Sequence, residues 1–199
     1  MIMKKIMNWM LAAILVCGAS VFTSCDSKDN PITPTVNIGK CTRVEVIYRI
    51  TSPKTNYDYF EGKIALKSGN EVKEIKKLLT FVEQQNESYN VNDIAAFPVE
   101  EAICLHYGIK ELESYAGEIY SLNWEMSYTV TSYNAQGEKL DTQTISDRWN
   151  ESGSVKEKAD LESAVKMSYS ELHASIAEDG TITLSKVNKM HPERSGIEW

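Results

Sequence analysis

The segment from residue 122 to residue 146 constrains the fold more than any other part of the sequence. Its first half has apolar side chains at every second position, residues 134–137 are turn formers, and its second half alternates again. This pattern predicts two antiparallel strands joined as a hairpin. Leu122, Trp124, Met126, Tyr128 and Val130 share one face of the first strand, and Leu140, Thr142 and Thr144 share one side of the second. Trp124 and Tyr128 are therefore predicted to lie in the core.

Three other segments also have the period of a strand. Residues 42–51 alternate between apolar and polar side chains, and a second strand is predicted for residues 57–66. Because the residues between them, 52–56, are turn formers, we predict that these two strands form a hairpin. The alternation at 181–187 predicts a final strand.

Two segments have the spacing of a helix. Residues 72–85 repeat apolar side chains at helical intervals, with Lys and Glu on the opposite side, and predict a first helix. A long helix is predicted after residue 154, because apolar residues from Leu161 to Ile176 share one helical face and Asp179-Gly180 would end it.

Residues 98–120 fit two interpretations. Pro98 followed by two glutamates is typical of a helix start, and Gly108 would end that helix. Residues 103–107, however, alternate as a strand would. The helix is the favoured interpretation.

Strands interspersed with helices, without a regular alternation of the two, indicate an α+β fold. We predict a mainly antiparallel sheet with helices packed on one face. The chain has 199 residues, which suits one domain, here residues 41–190. A C-terminal tail, 191–199, has no strong pattern.

The N-terminus has the layout of a secretory signal. Lys4 and Lys5 precede a short apolar run without charge. The run ends at Val21-Phe22-Thr23-Ser24-Cys25, which resembles the lipobox of bacterial lipoproteins, although Phe22 stands where that family usually has Leu. The resemblance implies that residues 1–24 are a signal peptide, that Cys25 carries diacylglycerol, and that the membrane is a partner through this lipid.

Residues 25–40 are polar, contain two prolines and have no apolar period, so we predict a flexible tether. The acidic residues directly after Cys25 resemble the export signal of lipoproteins delivered to the outer surface of some Gram-negative bacteria. The resemblance implies an outer-membrane lipoprotein and favours surface exposure over a periplasmic orientation.

The charge of the chain argues against a nucleic-acid partner. Removal of the signal leaves 19 basic and 28 acidic residues, a formal net charge of −9. Phosphate contacts dominate nucleic-acid affinity, and this field would repel them.

Two cysteines remain besides those of the signal and the lipid site. Cys41 and Cys104 could form a disulfide in an oxidising compartment, or they could be two unpaired thiols. The sequence does not decide between these, because it does not give their separation.

No catalytic constellation stands out. Phosphate-binding glycine loops and the G-x-S-x-G motif are missing, and His106, His173 and His191 lie outside metal-binding frames. We therefore predict no catalytic residue, metal or cofactor.

The remaining feature is a set of aromatic residues near predicted loops. Ordinary packing at the rim of a small domain is the favoured interpretation, and the alternative is a surface that binds a sugar or a peptide. The candidate ligand-binding residues are Tyr57, Tyr59, Tyr133 and Trp149. The sequence thus predicts a lipid-anchored cell-envelope protein that binds a glycan or an envelope protein and is not an enzyme. The alternative is a small envelope hydrolase with unidentified catalytic residues.

Overall fold

A computed structural model of the protein describes residues 39–79, 84–113, 118–187 and 191–199. These residues form nine strands and one α-helix. The strands are β1 (Cys41–Thr51), β2 (Phe60–Ser68), β3 (Glu71–Lys77), β4 (Gln84–Asn92), β5 (Val99–Ile109), β6 (Glu118–Asn134), β7 (Lys139–Val155), β8 (Ser170–Ile176) and β9 (Ile182–Val187). The helix, α1, spans Lys158–Met167.

The strands form two antiparallel sheets. The first has four strands in the order β4-β1-β6-β7, and the second has five in the order β3-β2-β5-β8-β9. The inward side chains of both sheets belong to one buried apolar cluster, so the sheets pack face to face as a sandwich. We refer to the other side of each sheet as its outer face.

The predicted α+β class is wrong. Strands account for 62% of the described residues, and these residues contain a single α-helix. The fold is a β-sandwich in which two sheets cover each other, and no layer of helices covers a sheet. The errors fall on three segments, each with its own physical cause.

Residues 72–85 contain strands β3 and β4 where a helix was predicted. A β-bulge explains the misleading period. Leu66 pairs with Glu74 and Lys67 pairs with Val72, so Lys73 is an extra residue in β3. An extra residue shifts the alternation by one position, which puts Val72 and Ile75 on the same face at the interval of three that is typical of a helix.

Residues 99–109 form strand β5, so the helix favoured for 98–120 is wrong and the strand interpretation is right. Ile103, Leu105 and Tyr107 point into the sandwich. On the other side, Ala102 and Cys104 are also buried. A strand that is covered on both faces loses the contrast between apolar and polar positions, which is why its period was ambiguous.

The long helix predicted after residue 154 is half as long as expected. Helix α1 ends at Met167 and β8 starts at Ser170. The apolar residues Leu172, Ala174 and Ile176 then alternate into the core as a strand. The start of the helix has a capping box, in which the side chains of Glu157 and Asp160 accept from backbone N–H groups.

The hairpin at 122–146 is confirmed and is longer than predicted, because β6 and β7 have 17 residues each. Asn134 organises its turn: its Oδ1 accepts from the N–H groups of Gln136 at 3.0 Å and Glu138 at 2.9 Å. Trp124 and Tyr128 are buried as predicted. The final strand at 181–187 is also confirmed, as β9.

The predicted first hairpin is wrong, because β1 and β2 belong to different sheets. The connection between them contains a short 3-10 turn, Lys54–Asp58, and crosses the sandwich. Asn56 holds this crossing in place: its Nδ2 donates to Ser52 Oγ at 2.8 Å, and its Oδ1 accepts from the backbone N–H of Asn123 in β6 at 3.0 Å. Ser52 in turn bonds the Tyr107 hydroxyl of β5 at 2.6 Å.

The C-terminal segment 191–199 is packed on the outer face of the five-stranded sheet. Ile197 is buried there with Ala65, Cys104 and Tyr169. The Trp199 ring lies 5.0 Å from the His106 ring, measured between centroids.

Candidate functional site

The two sides of the sandwich differ in how closely the sheets meet. On one side, the backbone N–H of Ile182 in β9 donates to Asp141 of β7 at 3.0 Å, and Lys186 pairs with Asp147. On the other side, Lys76 of β3 pairs with Glu87 of β4. Next to that ion pair the two edge strands leave a cleft of about 620 Å³ between them. Its lining is Leu66, Ser68, Lys73, Glu74, Tyr89, Asn90, Val91, Asn92 and Glu101.

Glu101 is the one carboxylate of β5 that points into the sandwich. The neighbours that share its face, Val99 and Ile103, are apolar. Glu101 is only 4% exposed. Its Oε1 accepts from Ser68 Oγ at 2.8 Å, and its Oε2 accepts from the Tyr89 hydroxyl at 3.3 Å. Burial raises the pKa of Glu101, and these two neutral donors offset only part of that effect.

Two tyrosine hydroxyls lie beside this carboxylate. Burial, and then the charge of Glu101, raise the pKa of Tyr89, which therefore keeps its proton and remains a donor. Tyr128 of β6 is fully buried, and its hydroxyl has no hydrogen-bond partner among the described residues. Burial, followed by the nearby Tyr89 and Glu101, also raises the pKa of Tyr128. The cleft therefore has a carboxylate at its base and buried hydroxyl groups around it.

The cleft continues into a second cavity of about 530 Å³. The two share Ser68, Lys73, Val91 and Asn92, and the second extends along the loop that joins β4 to β5. Together they form one elongated groove with donors and acceptors at its rim.

The predicted aromatic site is not assembled. Tyr57 and Tyr59 are buried members of the core. Tyr133 is half-buried on the outer face of the four-stranded sheet, where its hydroxyl donates to Glu45 at 2.9 Å and the Arg43 guanidinium lies 3.7 Å from its ring centroid. Trp149 is half-buried on the inward side of β7 and donates to Glu151 at 3.2 Å. These four residues do not share a surface. Tyr57 and Tyr59 are buried at the 3-10 turn, and the strand alternation sends Tyr133 and Trp149 to opposite faces of the four-stranded sheet.

No family model, curated protein or solved structure matches the chain. The arguments about its function therefore rest on the geometry of the groove and on the sequence.

The two cysteines of the domain are free thiols. Cys41 starts β1 in the first sheet, and Cys104 lies in β5 in the second. Burial raises the pKa of Cys104 to about 12, with the charge of Glu171 as the next cause. A thiol with such a pKa is a poor nucleophile at neutral pH. Of the two alternatives left open by the sequence, this structure has the unpaired thiols, and Cys25 lies outside the described residues.

A second buried carboxylate, Glu171, lies on the outer face of the five-stranded sheet under the segment 191–199. It accepts from the Tyr169 hydroxyl at 2.7 Å and pairs with Lys67 at 3.3 Å and His173 at 2.8 Å. Burial alone would raise its pKa, but His173, Tyr169 and Lys67 together lower it to about 2. This carboxylate is covered and fully paired, so it stabilises the fold and offers no open site.

No group of three His, Cys, Asp or Glu side chains among the described residues could hold a metal ion. No helix in the same part of the chain is long and apolar enough to cross a membrane.

Sequence reasoning did not find the groove. Glu101 was interpreted as an acidic residue in the first turn of a helix. The available signal was its phase, because residues 99, 101, 103, 105 and 107 share one face of a strand and only residue 101 is charged. Ser68 and Tyr89 gave no signal of their own, since they reach Glu101 only after the sheets pack.

Proposed function

We propose that the protein is a lipid-anchored cell-envelope protein that binds a glycan in the groove between β3 and β4. The observation that carries this proposal is the buried carboxylate of Glu101 at the base of an open cleft with both polar and apolar lining residues. A charged group at an apolar position is costly unless it is paired, and departures of this kind are expected at functional sites.

The chemistry of the lining suits a sugar. The oxygens of Glu101 accept hydrogen bonds from hydroxyl groups, and the Ser68 hydroxyl can both donate and accept. Lys73 adds a further donor. The Tyr89 ring and Val91 offer apolar surface for the C–H faces of a sugar ring. The volume also lies within the usual range for small-ligand sites, which is roughly 300–1,000 Å³.

The anchor of this proposal rests on the sequence. The lipobox-like segment that ends at Cys25 and the polar residues after it support attachment by lipid, and the acidic residues support export to the outer membrane and its surface. A lipid with several acyl chains on Cys25 would hold the domain stably at a membrane.

The binding proposal is tested by a thermal-shift screen of the full-length protein against neutral and acidic oligosaccharides. A ligand at a hundred times its Kd adds about 2.7 kcal/mol to stability. Glu101→Gln should abolish the shift. Glu125→Gln, on the exposed outer face of β6, should retain it and serves as the matched control. Equal shifts for both variants would contradict a site at Glu101.

The anchor is tested separately by metabolic labelling with a fatty acid. Cys25→Ala should abolish labelling, whereas Cys17→Ala, in the same signal segment, should leave it unchanged. Persistent labelling of the Cys25→Ala variant would refute lipidation at this cysteine.

A hydrolase is the second candidate, favoured by one specific observation. Glu101 has a raised pKa in an open cleft that is also lined by a second carboxylate, Glu74. Two carboxyl groups in one cleft are the arrangement that glycoside hydrolysis requires, one as the acid and the other as the base or nucleophile. If the protein is an enzyme, it should release reducing ends from a bound oligosaccharide. The Glu74→Gln variant should lose this release while it still binds the oligosaccharide.

A further inference from the structure

The four sheet edges in the described part of the chain are not equally protected against pairing with another strand. Strand β3 is bulged and carries three lysines and two glutamates. Strand β9 has only six residues, one of them Lys186, and β7 is charged and bonded to β9. Charges, bulges and short lengths are the usual ways of blocking an edge.

Strand β4 has the fewest of these devices. It has nine residues, Gln84–Asn92, and pairs with β1 in one regular register without a bulge. It contains no lysine or proline, and Glu87 is its only charged residue. An unprotected edge of this length is a template for another strand.

We propose that β4 pairs antiparallel with β4 of a second copy of the protein, about a two-fold axis at Ser88. The two four-stranded sheets would then continue into one sheet of eight strands. The proposal requires no ligand in the groove, although residues 89–92 of the same strand line it.

The sequence of β4 is complementary to itself in this register. Ser88 is the central residue of the strand, so the axis at Ser88 uses its whole length. On the outer face, Gln84 lies opposite Asn92 of the second copy, and Asn86 lies opposite Asn90. Amide side chains both donate and accept, so such pairs can bond to each other.

The inward side of the strand limits the register. With the axis at Ser88, Glu87 lies opposite the uncharged Tyr89 of the second copy. A shift of the axis to Glu87 would put two carboxylates opposite each other, which is destabilising. The single charge of the strand therefore selects against that neighbouring register.

The outer-face amides are already held in place. Arg49 Nε donates to Asn86 Oδ1 at 2.9 Å, and an Arg43 Nη donates to Asn90 Oδ1 at 3.2 Å. Both arginines belong to β1. Side chains that are fixed before association lose less entropy on binding, so this edge is prepared for a partner.

Sedimentation equilibrium of the full-length protein in density-matched detergent tests the proposal. The wild-type protein should be a dimer. Ser88→Lys and Ser88→Glu should each raise the dimer Kd at least about tenfold, because only the residue on the axis meets its own copy and like charges would face each other. An equimolar mixture of the two variants should restore the dimer.

Thr144→Lys is the matched control, since Thr144 is exposed on the outer face of β7 in the same sheet. It should leave the Kd unchanged. Restoration in the mixture also shows that the two Ser88 variants are folded, because misfolded chains would not recover by mixing. A wild-type monomer, a dimer insensitive to both Ser88 variants, or a mixture that stays monomeric would each overturn the proposal.

Discussion

Glu101 and Glu171 are two buried glutamates of the same sheet whose pKa values are shifted in opposite directions. Glu101 faces inward between neutral donors, and burial raises its pKa. Glu171 faces outward, and although burial opposes it, His173, Tyr169 and Lys67 lower its pKa to about 2. The difference lies in the partners and not in the extent of burial, since both residues are almost fully covered.

Replacement of Glu101 by Gln should raise the stability of the protein at neutral pH. The folded-state pKa of Glu101 lies above its ordinary value of 4.5. The ionised carboxylate therefore lowers the free energy of unfolding as pH rises above 4.5. Thermal unfolding should show a higher Tm for Glu101→Gln at pH 7 and no gain below pH 4.5. Glu125→Gln should show neither effect. A lower Tm for Glu101→Gln at pH 7 would contradict the raised pKa.

Replacement of Glu171 by Gln should have the opposite effect. Its pKa is lowered from 4.5 to about 2, so its contribution to stability is complete above pH 4.5 and is lost as pH falls through 2. At pH 7 the substitution removes the charged partner of Lys67 in a covered site, which lowers the free energy of unfolding by on the order of 2 kcal/mol. Denaturant unfolding measures this cost. Glu198→Gln, at an exposed position of the C-terminal segment 191–199, is the control. Equal stability of both variants would refute the role of this cluster.

At the scale of elements, the sequence predicts strands well where one face is solvated. Strands β1, β6, β7 and β9 have polar outer faces, and their alternation was clear. Strand β5 is covered on both faces and β3 is bulged, so their periods resembled a helix. The groove could not be predicted, because its lining comes from four strands whose neighbours were assigned to different elements.

The turn between β8 and β9 should be far more sensitive to substitution than the turn between β6 and β7. Gly180 and Gly137 both have a positive φ, of 87° and 78°. A Cβ on Gly180 would lie 2.6 Å from a Leu140 methyl group, whereas one on Gly137 would meet nothing within 4 Å. Gly137→Ala should cost about 1 kcal/mol from backbone strain alone, and Gly180→Ala should cost at least about 2 kcal/mol. Chemical denaturation of both variants checks this, and equal costs would exclude the close packing at Gly180.

At the scale of the whole molecule, the two sheets are joined by apolar packing and by polar links, among them a buried one at Asn56. Asn56 and Ser52 connect the backbone of β6 in the first sheet with the Tyr107 hydroxyl of β5 in the second. Because the hydroxyl and amide groups of this link are buried, each would be left unsatisfied by the loss of its partner.

Asn56→Ala should therefore destabilise the sandwich by about 2–4 kcal/mol, because buried polar groups of Ser52 and Asn123 lose their hydrogen-bond partner. The measurement is the free energy of unfolding in urea, with an unchanged m-value if the transition remains two-state. Asn150→Ala, on the exposed outer face of β7, should change it by less than about 0.5 kcal/mol. A loss for Asn56→Ala as small as that of the control would show that the polar link is dispensable.

The order of the strands along the chain has a kinetic consequence. Strand β1 has its neighbours in β4 and β6, and the chain changes sheet between β1 and β2, β3 and β4, β4 and β5, β5 and β6, and β7 and β8. Neither sheet can be completed by a continuous stretch of sequence, so pairing must wait for distant segments, and such non-local topologies fold slowly. An N-terminal fragment that ends before β6 would leave β1 with an unpaired edge and an apolar face exposed. The nascent chain is therefore expected to depend on protection from aggregation until nearly all of it has been synthesised.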